Sequence, residues 1–501
     1  MLSFCKFNIL LSTNFKKNLM FKRKFKLILL FLVFINQIYS QNQPQPQHNK
    51  KVIGYYAQWA IYNRGYGVHQ IEGDKLTHLM YAFYNTIYDP DTQTTRLESL
   101  DPNADFAHNN FNITYPSGTK TETERGNFGQ LKMLKEKYPH LKILISLGGW
   151  TRSQHFPALS ASENGRLTLA QNMVDLMQKY PWIGGFDIDW EFPVIGGIVG
   201  ESISGNPIPD QPFTKDDHKN LVFLLKKIRE VFDANGMEDK ELSIAAGNNV
   251  SKLLKGHVGP GNQADHGMTE NIFDFCDFIT FFGYDFGGNW FERTSYNAPL
   301  YGGENAKDPL NRNIDPEGKP VDGSPNNPNQ VLDDLVTLYL SENGLKVPPE
   351  KLILGIPFYG KLFERVESTG IIPELPGLYE KAPNEITSLC KNRRSPQGSW
   401  DDVRYPCEQS GSIEFGDLFQ GNATTKHQYL DNTGLKVSST AAAAGWKRYW
   451  DDTAKVPYLY NANENKFISY DDPESVDIKV KYALSKQMGG VMIWELSQDA
   501  R

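Results

Sequence analysis

Eight short runs rich in β-branched and aromatic residues recur along this chain: 51–59 (KVIGYYAQW), 75–84 (KLTHLMYAFY), 141–149 (LKILISLGG), 183–191 (IGGFDIDWE), 241–247 (ELSIAAG), 276–284 (CDFITFFGY), 351–358 (KLILGIPF) and 488–495 (MGGVMIWE). Their composition suits strands. Helix-period patterns stand between them: Leu169, Met173, Leu176, Met177 and Tyr180 share one stripe, and Leu221, Leu224, Leu225, Ile228 and Phe232 another. The second stripe opens on Thr214-x-x-Asp217, a capping box with Asp in the place of Glu, and stops at Gly236. Strands alternating with helices pair in parallel, because a parallel neighbour needs a long crossover. Eight such repeats predict an α/β chain folded as a closed (β/α)8 TIM barrel, with an open doubly wound sheet as the lesser alternative.

One connection is too long for a plain barrel. Residues 365–470 lie between the seventh and eighth runs, rich in Pro, Gly and aromatics, and the stretch closes on VPYLYNANENKFISYDDP, a hairpin pattern around Asn461–Asn465. A small α+β insertion domain is expected there, on a barrel built from 51–364 and 471–501. It would rise from the carboxyl ends of the strands, the face on which such barrels carry their active sites.

The N-terminus is set apart. Lys22–Lys26 is basic, Leu27–Ile35 is an unbroken apolar run, and Ser40 is a small residue ahead of a cut. This is a signal-peptide layout over 1–40, with 1–19 an upstream extension if translation starts at Met20; the apolar run is too short to span a bilayer, and an uncleaved anchor is the alternative. Residues 41–50 (QNQPQPQHNK) read as a polar linker. A secreted, extracellular protein is expected, free of the membrane after cleavage. The net charge of −7 and the lack of a basic tract beyond the N-terminus argue against nucleic-acid binding.

The fourth run carries the most unusual chemistry. Alternation puts Asp187, Asp189 and Glu191 on one face of a strand, roughly 6–7 Å apart, and Phe186, Ile188 and Trp190 on the other. Three acids on a buried face lose hydration and repel one another, so at least one should hold a proton near neutral pH. Glu191, last and longest-reaching, is the candidate general acid. The D-x-D-x-E spacing also matches part of a calcium loop, but Ile and Trp between the acids favour a strand.

Other strand ends add complementary groups. Gly148 and Gly149 permit close backbone approach and lead into Trp150. Tyr284 and Asp285 end the sixth run, Tyr55 and Trp59 the first, and Trp494 the eighth. Several aromatics on one face beside a protonated acid point to carbohydrate, and Phe83 and Tyr359 join the candidate sugar contacts. Of four cysteines, Cys5 lies in the N-terminal segment, Cys276 in an apolar run, and Cys390 and Cys407 could pair in an oxidising compartment. No His or second Cys stands at metal-ligand spacing, so no metal site is expected. The sequons at Asn112, Asn249 and Asn422 matter only in a host that glycosylates secreted proteins.

With these residues in view, Ser146-Leu-Gly-Gly149 and Phe186-Asp-Ile-Asp-Trp-Glu191 resemble the two signature motifs of the glycoside hydrolase family 18 chitinases of bacterial type. Matches continue at Gly283-Tyr-Asp285, Gly355-Ile-Pro-Phe-Tyr-Gly360 and Gly489-Gly-Val-Met-Ile-Trp-Glu495, covering about 51–499. The resemblance implies hydrolysis of β-1,4 links in chitin or another N-acetylglucosamine polysaccharide, without a cofactor, by a monomer. It implies a retaining mechanism in which the substrate's N-acetyl group is the nucleophile. It also implies roles: Glu191 as acid/base, Asp189 orienting the N-acetyl group, Asp187 buffering Asp189, Tyr284 donating to the acetamido oxygen, and Asp285 fixing the distorted sugar. Trp494 would floor the pocket and Trp150 would stack a neighbouring sugar.

The chain departs from the family pattern in three places. Gly184 replaces an Asp common ahead of the acids, Phe282 replaces a Met on the sixth strand, and the chain ends at Arg501, before an expected last helix. An endo-β-N-acetylglucosaminidase and a non-cleaving chitinase-like lectin are the alternatives, the lectin disfavoured by the presence of Glu191.

Overall fold

The computed structural model describes residues 50–109, 111–115, 124–194, 196–248, 270–302, 331–341, 345–383, 387, 390, 395–420 and 428–499. The expected signal peptide, most of the linker and the sequons at Asn249 and Asn422 lie outside them. Eight strands pair in parallel and close on themselves: β1 (Lys51–Ala57), β2 (His78–Asp89), β3 (Lys142–Gly148), β4 (Ile183–Asp189), β5 (Glu241–Ala246), β6 (Phe278–Phe281), β7 (Leu352–Pro357) and β8 (Gly490–Trp494). The ring runs in chain order and is sealed by β1 against both β2 and β8. The strand Thr94–Ser99 adds antiparallel to the end of β2.

Alternation sorts each strand's side chains. Phe186, Ile188 and Trp190 join the layer beneath the helices, where Phe186 meets Phe232 at 6.4 Å and Trp190 stacks on Phe156 at 5.5 Å. Burying each such side chain contributes roughly 1.5–3 kcal/mol, which anchors a strand whose other face is acidic. Inside the barrel Ile53, Met80, Leu144, Phe278, Ile353 and Met492 form a separate core. At its amino-terminal end Glu241 accepts from His78 Nε2 at 2.8 Å and from Lys142 Nζ at 2.5 Å.

Both helical stripes form. Helix Glu163–Lys179 is capped by the Ser162 hydroxyl and buries Leu169, Met173 and Met177. In helix Asp217–Ala234 the capping partners fall on its first turn: Asp217 accepts from the N–H and hydroxyl of Thr214, and also from the N–H of Val194 in the loop after β4. Gly236 follows the helix with φ +66°, a left-handed conformation suited to glycine.

Between β7 and β8 stands a five-stranded antiparallel sheet, in the order 412–414, 359–363, 466–469, 456–461, 447–451. Its first strand, Tyr359–Phe363, starts two residues after β7, six residues ahead of the expected boundary at 365. The sheet leaves the barrel with only Phe358 between, a break that no hydrophobic period marks. Tyr296, from the loop after β6, sits in the sheet's core and donates to Asp451. No helix among the described residues is long and apolar enough to cross a membrane.

Candidate active site

The carboxyl end of β4 is held by its neighbour. Gly148 (φ +103°) lets the backbone pass so closely that a Cβ there would meet the Asp189 carbonyl at 2.4 Å, and the Gly149 N–H donates to that carbonyl at 2.8 Å. The Ser153 hydroxyl accepts from the Glu191 N–H at 3.0 Å and reaches the Gly149 carbonyl at 2.9 Å. Gly148 is therefore a packing requirement set by the acid strand, whereas Gly149 (φ +79°) makes room for the Phe83 ring, which a Cβ would meet at 2.7 Å. Non-proline cis peptides precede Phe83, Phe192 and Glu495.

Asp187 is fully buried and accepts three hydroxyls at 2.7 Å each, from Tyr55, Ser146 and Ser243 on β1, β3 and β5. Burial raises its proton affinity and the three donors oppose that rise. Asp189 has no such support, and its Oδ1 has no hydrogen-bond partner among the described residues. Burial first, then the charges of Glu191 and Asp187, push its carboxyl well above the usual carboxylate range, and it shares a hydrogen bond with Glu191. Crowding thus acts most directly on Asp189, one step deeper than the Glu191 position at which the sequence places the proton. Glu191 itself is half-exposed at the barrel mouth.

Tyr284 is buried beside the acids, and burial, then Asp285 and Asp189, raise its hydroxyl well above the ordinary value, so it stays a donor. Its ring stacks on Phe282 at 5.5 Å and meets Tyr359 edge-on at 5.9 Å. Phe282 also packs against Phe192 at 6.3 Å, so it forms the wall between the acid loop and Tyr284. Gly184 has room for a Cβ, with nothing nearer than 3.4 Å. Asp285 (φ +57°) takes its orientation from Asn297, whose side chain accepts from its N–H, and pairs with Lys361 at 3.1 Å.

The aromatics divide. Trp494 is half-buried, with Tyr55 at 5.3 Å and Phe83 stacked on it at 5.9 Å. Tyr55, expected to face a sugar, is 1% exposed and spends its hydroxyl on Asp187; alternation turns it into the barrel. Phe83 likewise backs Trp494 and lies beside Trp59 at 6.3 Å. Trp59 and Trp150 are each more than a third exposed. So are Trp290 and Trp400, which sequence reasoning missed because they stand in loops with no strand end to mark them. Lys361 was missed as well; it lies over Trp290 and Tyr359 at about 5 Å. Arg64 lies over Trp400 and donates to buried Glu414 at 2.7 Å. Cys390 and Cys407 are joined in the insertion, and Cys276 is a buried thiol.

A closed parallel barrel with buried acids at the carboxyl end of its fourth strand, under an insertion after the seventh, defines a class of glycosidase. The chain belongs to the glycosyl hydrolases family 18, whose model matches residues 51–499. It is 48% identical over 475 residues to Chitinase ChiA of Flavobacterium johnsoniae, covering 94% of this chain and 28% of that one. It is 32% identical to Chitinase A1 of Niallia circulans, covering 97% and 62%. Among solved structures it is similar to chitinase ChiA74 from Bacillus thuringiensis, with a TM-score of 0.68, 31% identity, and coverage of 91% and 66%. The chain thus spans less than two thirds of the length of each of these relatives.

Proposed function

We propose that this protein is a secreted chitinase that cleaves β-1,4 links between N-acetylglucosamine units by a retaining, substrate-assisted mechanism. The observation that carries the reading is Asp189: a buried, proton-retaining carboxyl with one oxygen unpartnered among the described residues, between a fully satisfied Asp187 and a solvent-reaching Glu191. A sugar seated on Trp494 presents its N-acetyl group to Asp189 and Tyr284. Glu191 gives its proton to the glycosidic oxygen, the acetamido oxygen attacks the anomeric carbon, and the C–O bond to the leaving sugar breaks. Asp189, through its unpartnered oxygen, accepts the acetamido N–H and so disperses the positive charge that develops on the oxazolinium ring, while Tyr284 donates to the acetamido oxygen. Water then attacks from the vacated side, Glu191 takes its proton, and the configuration is retained. Asp285, held by Asn297 and Lys361, fixes the ring, and Trp59 and Trp150 stack flanking sugars.

Secretion is supported by the N-terminal layout, and chitin as substrate by the similarity to Chitinase ChiA and Chitinase A1. The test is product analysis by NMR with chito-oligosaccharides beside a high-mannose glycoprotein. Cleavage of the oligosaccharides with β-anomers released first is expected. Cleavage of the glycoprotein alone, or release of α-anomers first, overturns the reading.

A further inference from the structure

The loop after β4 does not return directly to its helix. It carries a short hairpin, Ser202–Ile203 against Asn206–Pro207. At its tip the Ser202 hydroxyl and the N–H groups of Ser204 (2.8 Å) and Gly205 (3.0 Å) all donate to the Glu408 carboxylate of the insertion. Gly205 (φ +78°) lies so close to Tyr405 that a Cβ would meet its ring at 2.9 Å. Glu408 adjoins Cys407, which the disulfide ties to Cys390. At the base of the hairpin, Glu201 accepts from the Trp150 indole at 3.2 Å, and Gly197 packs on the carbonyl of Glu191.

In the ring, β4 stands three places from β7 and four from β8. A contact from the β4 loop to the insertion between β7 and β8 therefore joins opposite sides of the barrel mouth. We infer that Glu408 is the clasp of a bridge over the substrate cleft, and that this bridge makes a polymer enter by its end and stay bound between successive cuts. The inference rests on the polymer substrate proposed above. Three donors on one carboxylate are charge-assisted and fix the hairpin more tightly than neutral bonds would. A long chain cannot settle sideways under a closed bridge, whereas a short oligomer threads through it freely. Glu408 touches no reacting atom; it is a positioning residue.

The test compares wild type with Glu408→Ala on colloidal chitin, on a soluble chitin derivative and on chitotetraose. Opening the clasp should lower the ratio of soluble to insoluble reducing ends on colloidal chitin about threefold, and steepen the viscosity loss per bond cut, because lost charge-assisted bonds outweigh thermal energy. Turnover of the tetramer should stay within about twofold, since its binding and its chemistry do not pass through the clasp. Glu408→Gln, which keeps one acceptor, should lie between. If Glu408→Ala does not fold, removal of residues 203–206 carries the same expectation. A folded variant with unchanged ratio and unchanged viscosity course overturns the bridge while leaving the chitinase reading intact. A wild-type protein that cuts none of the three substrates overturns that reading and the bridge with it.

Discussion

Glu241 on β5 and Asp189 on β4 are both carboxylates held inside the barrel on adjacent strands, yet they titrate in opposite directions. Burial raises the proton affinity of each. At Glu241 hydrogen bonds from His78 and Lys142 outweigh burial and hold the group near 2. Burial drives His78 toward its neutral form, so the lasting charge opposite Glu241 is Lys142. At Asp189 the nearest charges are two more acids, and burial goes uncompensated. The residue class is the same; the neighbours decide whether its proton is given up at the closed end or kept at the open one, where the chemistry is proposed.

Five substitutions test this contrast. The largest effect is expected for Glu191→Gln, which should lower kcat on a chito-oligomer by about 10²–10⁴-fold, the range for a lost general acid, while the thermal melt stays put. Equal melting temperatures with substantial remaining activity would displace Glu191 from its proposed role. At the closed end, Glu241→Gln should do the reverse. Holding the group at about 2 instead of 4.5 is worth at most roughly 3 kcal/mol above pH 4.5, since part of the depression needs His78 in its charged form. Denaturant titration should show a loss of that order, with kcat within about twofold because no reacting atom is near.

The signs of the pH dependence follow from the same pair. Glu241 is depressed in the fold, so its contribution is present above about pH 4.5 and fades as pH falls toward 2. Asp189 is raised, so ionising it costs stability, and its contribution fades as pH climbs above the usual carboxylate range. Melting series should show Glu241→Gln flattening the acid limb and Asp189→Asn flattening the alkaline decline. Identical limbs in both variants would remove the contrast.

Tyr55→Phe takes one of three donors from Asp187 and should cost about 1–3 kcal/mol, as a buried acceptor loses a partner. Its effect on kcat should exceed its effect on KM, because the ring that backs Trp494 is kept; a change confined to KM would place Tyr55 against the sugar instead. The smallest effect is expected for Phe282→Met, a wall change that alters KM by less than about tenfold.

Much of this was legible from local pattern. The eight runs became eight barrel strands because period-2 alternation with helical stripes between them has few solutions. The acid face of β4 was legible because Phe186, Ile188 and Trp190 can only be buried on the other side. Less visible were partners that pattern does not mark: the hydroxyls of Ser146 and Ser243, the Lys361–Asp285 pair, Trp290 and Trp400. They lie far from the acids in sequence, and single serines, lysines or tryptophans in loops carry no period.

What the sequence alone determined was which residues share a face: the barrel, the three acids in line, and the place of an insertion after the seventh strand. Only the tertiary structure decided what each face meets. It turned Tyr55 inward to Asp187, set Asp189 between two more acids, set Lys142 against Glu241, and brought Glu408 to the hairpin some 200 residues away in the chain. The reason is physical. Side-chain direction follows from backbone period within a few residues, whereas proton affinity and contact depend on distances that only closure of the ring brings within a few ångströms.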